Sequence, residues 1–376
     1  MKILIAHVPA GSGHEKAAEA IQMAVREKHP DVETVLLNGL EGMSPWYQWS
    51  FTEGYIGMIH RYPQLWGLLY HLADLRGMAW AAYKLHRLSN GSHGRNLEQI
   101  LLRHHPDVIV ATHFFPLEVA AFLKQKGKLN SRVIAVITDY LPHSVWIAPG
   151  VDFYVVGCSA TRDNLIGRGI PSDRIRTSGI PTHPKFKRRH ERRPLAQRLG
   201  VNPDLFTVLV GSGGFGTGPV AEEISSLRAV PERMQLLIVT GKNSALYQHL
   251  ENMRETIPHE LKIYRFVDNM DELMDVSDVM VTKPGGLSST EAMAKGLPLV
   301  LTAAIPGQES RNARILKEMG AAVLCTHPGG LPECIVRLRT DPETLKKLAQ
   351  AGKEHAKPDA CYDVAQLAAA QEAISR

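Results

Sequence analysis

The sequence predicts an α/β protein with two parallel-sheet domains, and three observations carry that prediction. Strand-like apolar runs alternate with helix-like segments through both halves of the chain, the pattern of a parallel sheet wrapped by helices. At 376 residues the chain is longer than one hydrophobic core ordinarily organises. Glycine-bearing loops follow strand-like runs in both halves, at Pro9–His14, Gly211–Gly218 and Thr282–Gly286. In sheets of this kind ligands bind at the carboxyl ends of the strands.

In the first half, strands are expected at Lys2–Val8, Val32–Leu37, Val108–Thr112, Arg132–Thr138 and Phe153–Val156, and helices at Glu15–Lys28, Leu117–Gln125 and Thr161–Arg168. Three loops lie at strand ends: Pro9–His14, Thr112–Pro116 and Thr138–His143. The first has the glycines of a phosphate loop, but neither the G-x-G-x-x-G spacing of a dinucleotide fold nor the GK[ST] ending of a P-loop. Its distinctive member is His14, with Gly13 beside it on the acceptor or membrane side.

Residues 43–94 interrupt this alternation and hold four of the five tryptophans: Trp46, Trp49, Trp66 and Trp80. Tyr47, Phe51, Tyr55 and Ile59 recur every fourth residue, and Leu65, Leu68, Leu72 and Leu75 make a second helical stripe. Arg61, Lys84, His86 and Arg87 add positive charge. Two readings stand side by side. The leucines suit packing on the sheet, whereas the aromatics suit a membrane interface or lipid-acceptor surface, because Trp and Tyr favour a boundary that is apolar below and wet above. On the second reading Trp46, Trp49, Phe51, Tyr55 and Trp66 lie on the acceptor or membrane side.

Ser178–Pro184 is rich in Gly and Pro and reads as a linker, and the basic run Lys185–Arg193 follows it. That run is either solvated linker or an attraction for anionic lipid; no nucleic-acid fold motif accompanies it. A second α/β series then begins, with strands expected at Thr207–Gly211, Gln235–Thr240, Leu261–Val267, Val279–Thr282, Leu299–Leu301 and Ala322–Leu324. The domains are thus residues 1–184 and 185–358, followed by an Ala-rich helical segment within 359–376.

Composition narrows the class. Hydrophobic content of 44% with 22% charged residues describes a globular chain, and no run of eighteen apolar residues occurs. The opening MKILIAHVPAGSGH reads as strand and loop rather than signal peptide, so a cytosolic protein is expected. Cys158, Cys325, Cys334 and Cys361 show neither a CxxC nor a ligand-like spacing to histidine, which predicts no metal site and no disulfide framework. The net charge of +5 is mild.

The stretch Thr282–Asn312 carries the most chemistry. Gly285 and Gly286 turn the chain, Leu287 follows, and a helix is expected over Ser288–Lys295. Unpaired N–H groups and the positive dipole end there stabilise a diphosphate. Glu291, one turn further in, can hold sugar or ribose hydroxyls. Gln308, Glu309 and Asn312 follow a Pro-Gly turn at the next strand end. The loop Gly211–Gly218, with Gly213, Gly214 and Phe215 at its centre, has five glycines in eight residues and admits a phosphate close to the backbone. Lys242 and Asn243 end another strand, Lys242 being either a cation for the ligand or merely the start of a helix. The backbone of Phe266 and Val267 precedes a polar turn and can pair with a base edge.

No G-x-S-x-G elbow, HExxH, paired carboxylate motif or DxD site is present. Transfer from a nucleotide sugar needs none of these. The diphosphate departs once amides, with Thr282 at the strand end and Lys242 or Lys283 nearby, stabilise its growing charge. The acceptor hydroxyl then needs a base, and His14, with an ordinary pKa near ~6.5, suits that task. Asp139 orients or polarises His14, acts on the acceptor, or caps the turn that follows it.

Taken together these motifs resemble the glycosyltransferases that make monogalactosyl- and glucosyl-diacylglycerol, relatives of the N-acetylglucosaminyltransferase that completes the lipid-linked peptidoglycan precursor. The resemblance spans almost the whole chain. It rests on Gly11-Ser-Gly-His14 with the following Ala-Ala-Glu-Ala-Ile, Thr138-Asp139 with Trp146, and Gly179-Ile-Pro181. It rests equally on Gly241-Lys-Asn243, Thr282-Lys-Pro-Gly-Gly286 with Thr290-Glu-Ala292, and Pro306-Gly-Gln-Glu309 with Asn312.

The resemblance implies a GT-B architecture, two Rossmann-like domains facing each other across a cleft, with acceptor on the first and UDP-sugar on the second. It implies that the last helix returns to the first domain. It assigns His14 as base, the Phe266 and Val267 backbone to uracil, Glu291 to ribose, and Gln308 with Glu309 to sugar or ribose hydroxyls. The implied reaction moves glucose or galactose from UDP-glucose or UDP-galactose to diacylglycerol by inversion, without metal or cofactor. The enzyme is expected to be cytoplasmic and peripherally bound to a membrane through residues 43–94, with anionic lipids as partners, no nucleic acid, and an open oligomeric state. The alternatives are another lipid or soluble acceptor on the same fold, a UDP-sugar epimerase, and a non-catalytic nucleotide-sugar sensor.

Overall fold

A computed structural model of the chain describes residues 1–9, 11–51, 54, 57–58, 61–74, 93–214, 216, 218–325 and 327–370. Each half builds one six-stranded parallel sheet. The first contains β1 (Lys2–His7), β2 (Glu33–Asn38), β3 (Val108–Ala111), β4 (Arg132–Val136), β5 (Phe153–Val155) and β6 (Ile175–Arg176), in the order β2-β1-β3-β4-β5-β6. The second contains β7 (Thr207–Gly211), β8 (Gln235–Val239), β9 (Glu260–Tyr264), β10 (Val279–Thr282), β11 (Leu299–Leu301) and β12 (Ala322–Leu324), in the order β12-β11-β10-β7-β8-β9.

The strand sequences are nearly all apolar because both faces are covered. In the first sheet Leu4, Ala6, Ile109, Ala111 and Val133 join one core, and their neighbours Ile3, Ile5, Val108, Val110 and Ile134 join the opposite one. This is the two-residue period of a strand read on both faces. In the second sheet Val208, Val210, Leu236, Ile238, Val279 and Val281 share a face. The order of strands reverses between β1 and β3 in one sheet and between β7 and β10 in the other. At such a point the loops leaving two adjacent strands diverge and open a crevice.

The chain divides into two compact units. The first comprises Met1–His183 with Ile305–Gln308 and Lys357–Arg376; the second comprises Pro184–Ala304 with Glu309–Ala356. Within the first, the helix Ala360–Ala369 packs Cys361, Val364, Ala365 and Ala368 into one core with Ala18, Ile21 and Val25 of the helix Ser12–Lys28. Arg132 Nη2 caps its end, donating to the carbonyls of Leu367 at 2.8 Å and Ala368 at 2.7 Å. Gly179, at φ +99°, lets the chain pass Lys357, where a Cβ would meet the lysine Cβ at 2.4 Å.

Three features differ from the sequence reading. The first helix begins at Ser12, so His14 lies in its first turn rather than at a loop tip. The two-residue strand β6 is too short to leave a periodic signal. The basic run is neither solvated linker nor a free cationic patch: it folds into a 3₁₀ turn at Pro184–Lys187 and runs into the helix Arg192–Leu199. Acidic partners within the second unit pair Lys185, His190, Arg192 and Arg193 of the run. Arg192 forks onto Asp278 at 2.5 and 2.8 Å, Arg193 meets Asp204 at 2.9 Å, Lys185 lies 3.6 Å from Asp271, and His190 bonds Asp275 at 2.7 Å. Asp275 also receives the fully buried Lys295 ammonium at 2.5 Å. A buried charge this well paired ties the segment to the sheet, whereas either partner alone would be costly.

Candidate active site

The first cluster sits where the strand order reverses between β1 and β3. His14 reaches back from the first helical turn, and its Nδ1 lies 2.7 Å from the Thr112 carbonyl oxygen and 3.0 Å from Thr138 Oγ1. A carbonyl only accepts, so Nδ1 carries the proton and Nε2 keeps the lone pair. Thr112 grips a second time: its hydroxyl donates to the His14 carbonyl oxygen at 2.8 Å. Burial pushes the His14 pKa below its ordinary value, opposed by the Asp139 charge and the Thr112 carbonyl bond. Asp139 is 6% exposed and accepts Gln308 Nε2 on Oδ1 at 2.5 Å. Gly13 lies beside His14 in the same helical turn.

Sequence reasoning gave no individual role to four members of this cluster. Thr112 and Thr138 open two of the strand-end loops noted above, and His113, like His7 at the end of β1, looks in the sequence like any core histidine. His113 Nδ1 accepts the amide of Phe115 at 3.1 Å and so caps the helix Phe114–Gln125.

The second cluster lies where the order reverses between β7 and β10. Gly285 caps the helix Gly286–Ala294, whose first backbone bond is made by Ser289 to the Gly285 carbonyl at 3.1 Å. The amides of Gly286, Leu287 and Ser288 therefore precede the hydrogen-bonded ladder, as an anion site requires. Asn312, fully buried, holds the preceding turn through the Pro284 carbonyl at 3.1 Å. Thr282 spends its hydroxyl on Gly211 at 3.0 Å and joins two strands. Lys283 Nζ lies 3.4 Å from Glu309 Oε1, and Glu291 is half-buried one turn into the helix.

The glycine loop is braced rather than slack. Lys242 donates its amide to the Gly214 carbonyl at 3.1 Å, and Asn243 Nδ2 donates to the Gly216 carbonyl at 2.8 Å. Asn243 Oδ1 accepts Leu246 N at 2.9 Å and caps the helix Ser244–Met253. At Gly241, with φ +61°, a Cβ would stand 2.7 Å from the Gly213 carbonyl oxygen and 2.6 Å from that of Gly214. Phe266 is half-exposed, and among the described residues the backbone groups of Phe266 and Val267 make no hydrogen bond. Phe215 lies outside the described residues.

The apolar helices depart from the expectation at Tyr47 and at the leucines. Tyr47, first of the aromatic stripe, is buried and packs on Phe115 with centroids 6.1 Å apart. Trp46 and Trp49 of the helix Pro45–Phe51 face outward, 69% and 50% exposed. The leucines do not pack on the sheet: Leu65, Leu68, Leu69 and Leu72 of the helix Pro63–Asp74 are all exposed, whereas Trp66 is half-buried against Tyr70. Asp74 anchors that helix by taking both Arg168 nitrogens, at 2.9 and 3.0 Å, and the Ser144 amide at 2.7 Å. Tyr55, Trp80, Lys84, His86, Arg87, Ile59, Leu75 and the Phe51 side chain lie outside the described residues. No helix among the described residues is long and apolar enough to cross a membrane.

Comparison with known proteins agrees with this layout. The family model for monogalactosyldiacylglycerol (MGDG) synthase matches residues 14–182, and that for the glycosyltransferase family 28 C-terminal domain matches residues 205–364. A processive diacylglycerol beta-glucosyltransferase of Bacillus pumilus is 30% identical over 256 residues, 68% of this chain and 66% of that one. The enzyme of the same name from Bacillus thuringiensis is 29% identical over 384 residues, covering 95% and 90%. The crystal structure of Acinetobacter baumannii MurG superposes with a TM-score of 0.64 at 13% identity, covering 98% and 99%. Fold and family models together define a glycosyltransferase of the GT-B class. More narrowly, the chain belongs to the family of MGDG synthases and processive diacylglycerol glucosyltransferases.

Proposed function

We propose that this protein transfers a hexose from a UDP-sugar to the hydroxyl of diacylglycerol at a membrane surface, with inversion to a β-glycoside. The observation that carries the proposal is the His14 imidazole, held by Thr112 and Thr138 with Nε2 as its basic nitrogen. In the proposed step Nε2 takes the hydroxyl proton as the oxygen attacks the anomeric carbon from the face opposite UDP. The bond to the diphosphate breaks and UDP departs with the electron pair. One displacement gives inversion.

The helix-start amides at Gly286–Ser288 and the glycine loop stabilise the departing charge, so the proposed reaction draws on no metal and no cofactor. The open backbone of Phe266 and Val267 receives the uracil edge, Glu291 the ribose, and Gln308 and Glu309 the remaining hydroxyls. Glucose is the favoured hexose because the curated relatives are named beta-glucosyltransferases. Trp46, Trp49 and the outward leucines support the proposed peripheral binding, on the cytoplasmic side, because their exposed apolar area would leave water on a membrane surface. Arg61 beside them suits anionic headgroups.

The test is direct. Purified protein is given UDP-glucose or UDP-galactose with diacylglycerol in phosphatidylglycerol vesicles, with and without a chelator, and the anomeric configuration of the product is read by NMR. A β-glucosyl lipid, formed equally with chelator, is expected. No glycolipid from either donor defeats the proposal, and an α-linked product defeats the single displacement.

A further inference from the structure

Three imidazoles, rather than one, meet where the strand order of the first sheet reverses. The His14 and His113 rings stand edge to face, 4.8 Å apart between centroids at 85°. His113 is 3% exposed, and its Nδ1 is committed to accepting the Phe115 amide. A nitrogen that accepts carries no proton, so the ring is the Nε2–H tautomer, and a second proton would break the cap. Burial, with the charges of His14 and His7, holds the His113 pKa well below its ordinary value. His7 is 5% exposed with a buried Nδ1 that has no hydrogen-bond partner among the described residues; burial lowers its pKa despite Glu15 and Glu19.

We infer that His113 is a positioning residue for His14: a neutral ring whose edge-to-face contact fixes the His14 imidazole and shields it from water, keeping it the unprotonated base at neutral pH. The inference rests on the reading of His14 as base. The groups facing His14 are His7 from β1, His113 after β3, Asp139 and the Thr138 hydroxyl after β4, the Thr112 carbonyl, and the Trp146 ring at 6.5 Å. Of these, Asp139 is the carboxylate that favours a proton on His14. The rings oppose it by excluding solvent. Capping alone would not need an imidazole, since Asn caps a helix well.

Two variants separate the roles. His113→Asn keeps an acceptor for the Phe115 amide and removes the ring; His113→Phe keeps a ring and removes the acceptor. Both are assayed with UDP-glucose and diacylglycerol vesicles across the pH range, beside thermal unfolding. For His113→Asn the unfolding midpoint should stay near that of the parent and KM for UDP-glucose should hold. Its kcat should fall about 10-fold or more, and the acid limb of kcat/KM should climb toward ~6.5 as water reaches His14. His113→Phe should keep the parent acid limb even where its unfolding midpoint drops. Parent-like kcat and acid limb in His113→Asn overturn the inference, and that variant decides alone where the Phe variant does not fold. The base reading is judged separately: turnover retained by His14→Ala sinks it, whereas an inactive His14→Ala beside a parent-like His113→Asn sinks only the role of His113.

Discussion

Where the strand order of the first sheet reverses, the proposed site is built from side chains: His14 locked by Thr112 and Thr138, with Asp139 and two further imidazoles around it. At the corresponding place in the second sheet the groups are mostly backbone: the amides before Ser289 and the glycine loop braced by Lys242 and Asn243, with the open backbone of Phe266 and Val267 beyond the edge strand β9. On the proposed function, one topology thus serves two kinds of chemistry. Moving a proton needs a group whose pKa can be tuned, which only a side chain offers. Spreading the charge of a diphosphate needs several fixed dipoles, which a glycine turn and a helix start supply without titrating.

Substitutions can break or sharpen this contrast. The largest effect is expected from His14→Ala, which should lower kcat by about 10²–10⁴-fold while UDP affinity by calorimetry stays unchanged. Loss of both together would erase the distinction between the two clusters. Next comes Lys295→Met, which leaves Asp275 buried with weaker partners and should cost about 3 kcal/mol by denaturant unfolding. UDP affinity should survive it, because that ion pair serves the fold of the second unit rather than its ligand.

Gly241→Ala drives a Cβ into the carbonyls of the glycine loop and should weaken UDP binding about 10-fold or more, with the pH profile unmoved. A shifted acid limb there would mean the backbone site is coupled to the titrating one. Leu68→Asp should cut vesicle cosedimentation by about 10-fold and leave UDP binding alone. The smallest effect is a displacement of the acid limb of kcat/KM in the parent protein. A base works when neutral, and the His14 pKa is depressed, so activity should persist as pH falls past ~6.5 and fail only as it drops through that lower value.

Much of the fold could be read directly. The strand from Val279 to Thr282 and the glycines after it announce themselves, because continuous apolar runs and obligatory turns leave marks in the chain. His14 stood out for the same reason, framed by glycines after a strand. The contacts of Thr112, Thr138 and His113 with His14 did not, since each spans some hundred residues of sequence and no local pattern announces it. The leucine helix misled differently. Its stripe is genuine, but periodicity reports that one face is apolar and not what covers it, and here the face is open. The basic run misled because its aspartates come from elsewhere in the second unit, at 204, 271, 275 and 278.

Those aspartates bear on how the protein meets a charged surface. Cations already matched within about 4 Å by carboxylates project little field beyond a Debye length, near ~8 Å at physiological salt. The paired part of a run that looks like an electrostatic anchor is therefore nearly mute toward the outside. Attachment to vesicles should accordingly owe little to that run and be governed mainly by what the outward tryptophans and leucines gain on leaving water.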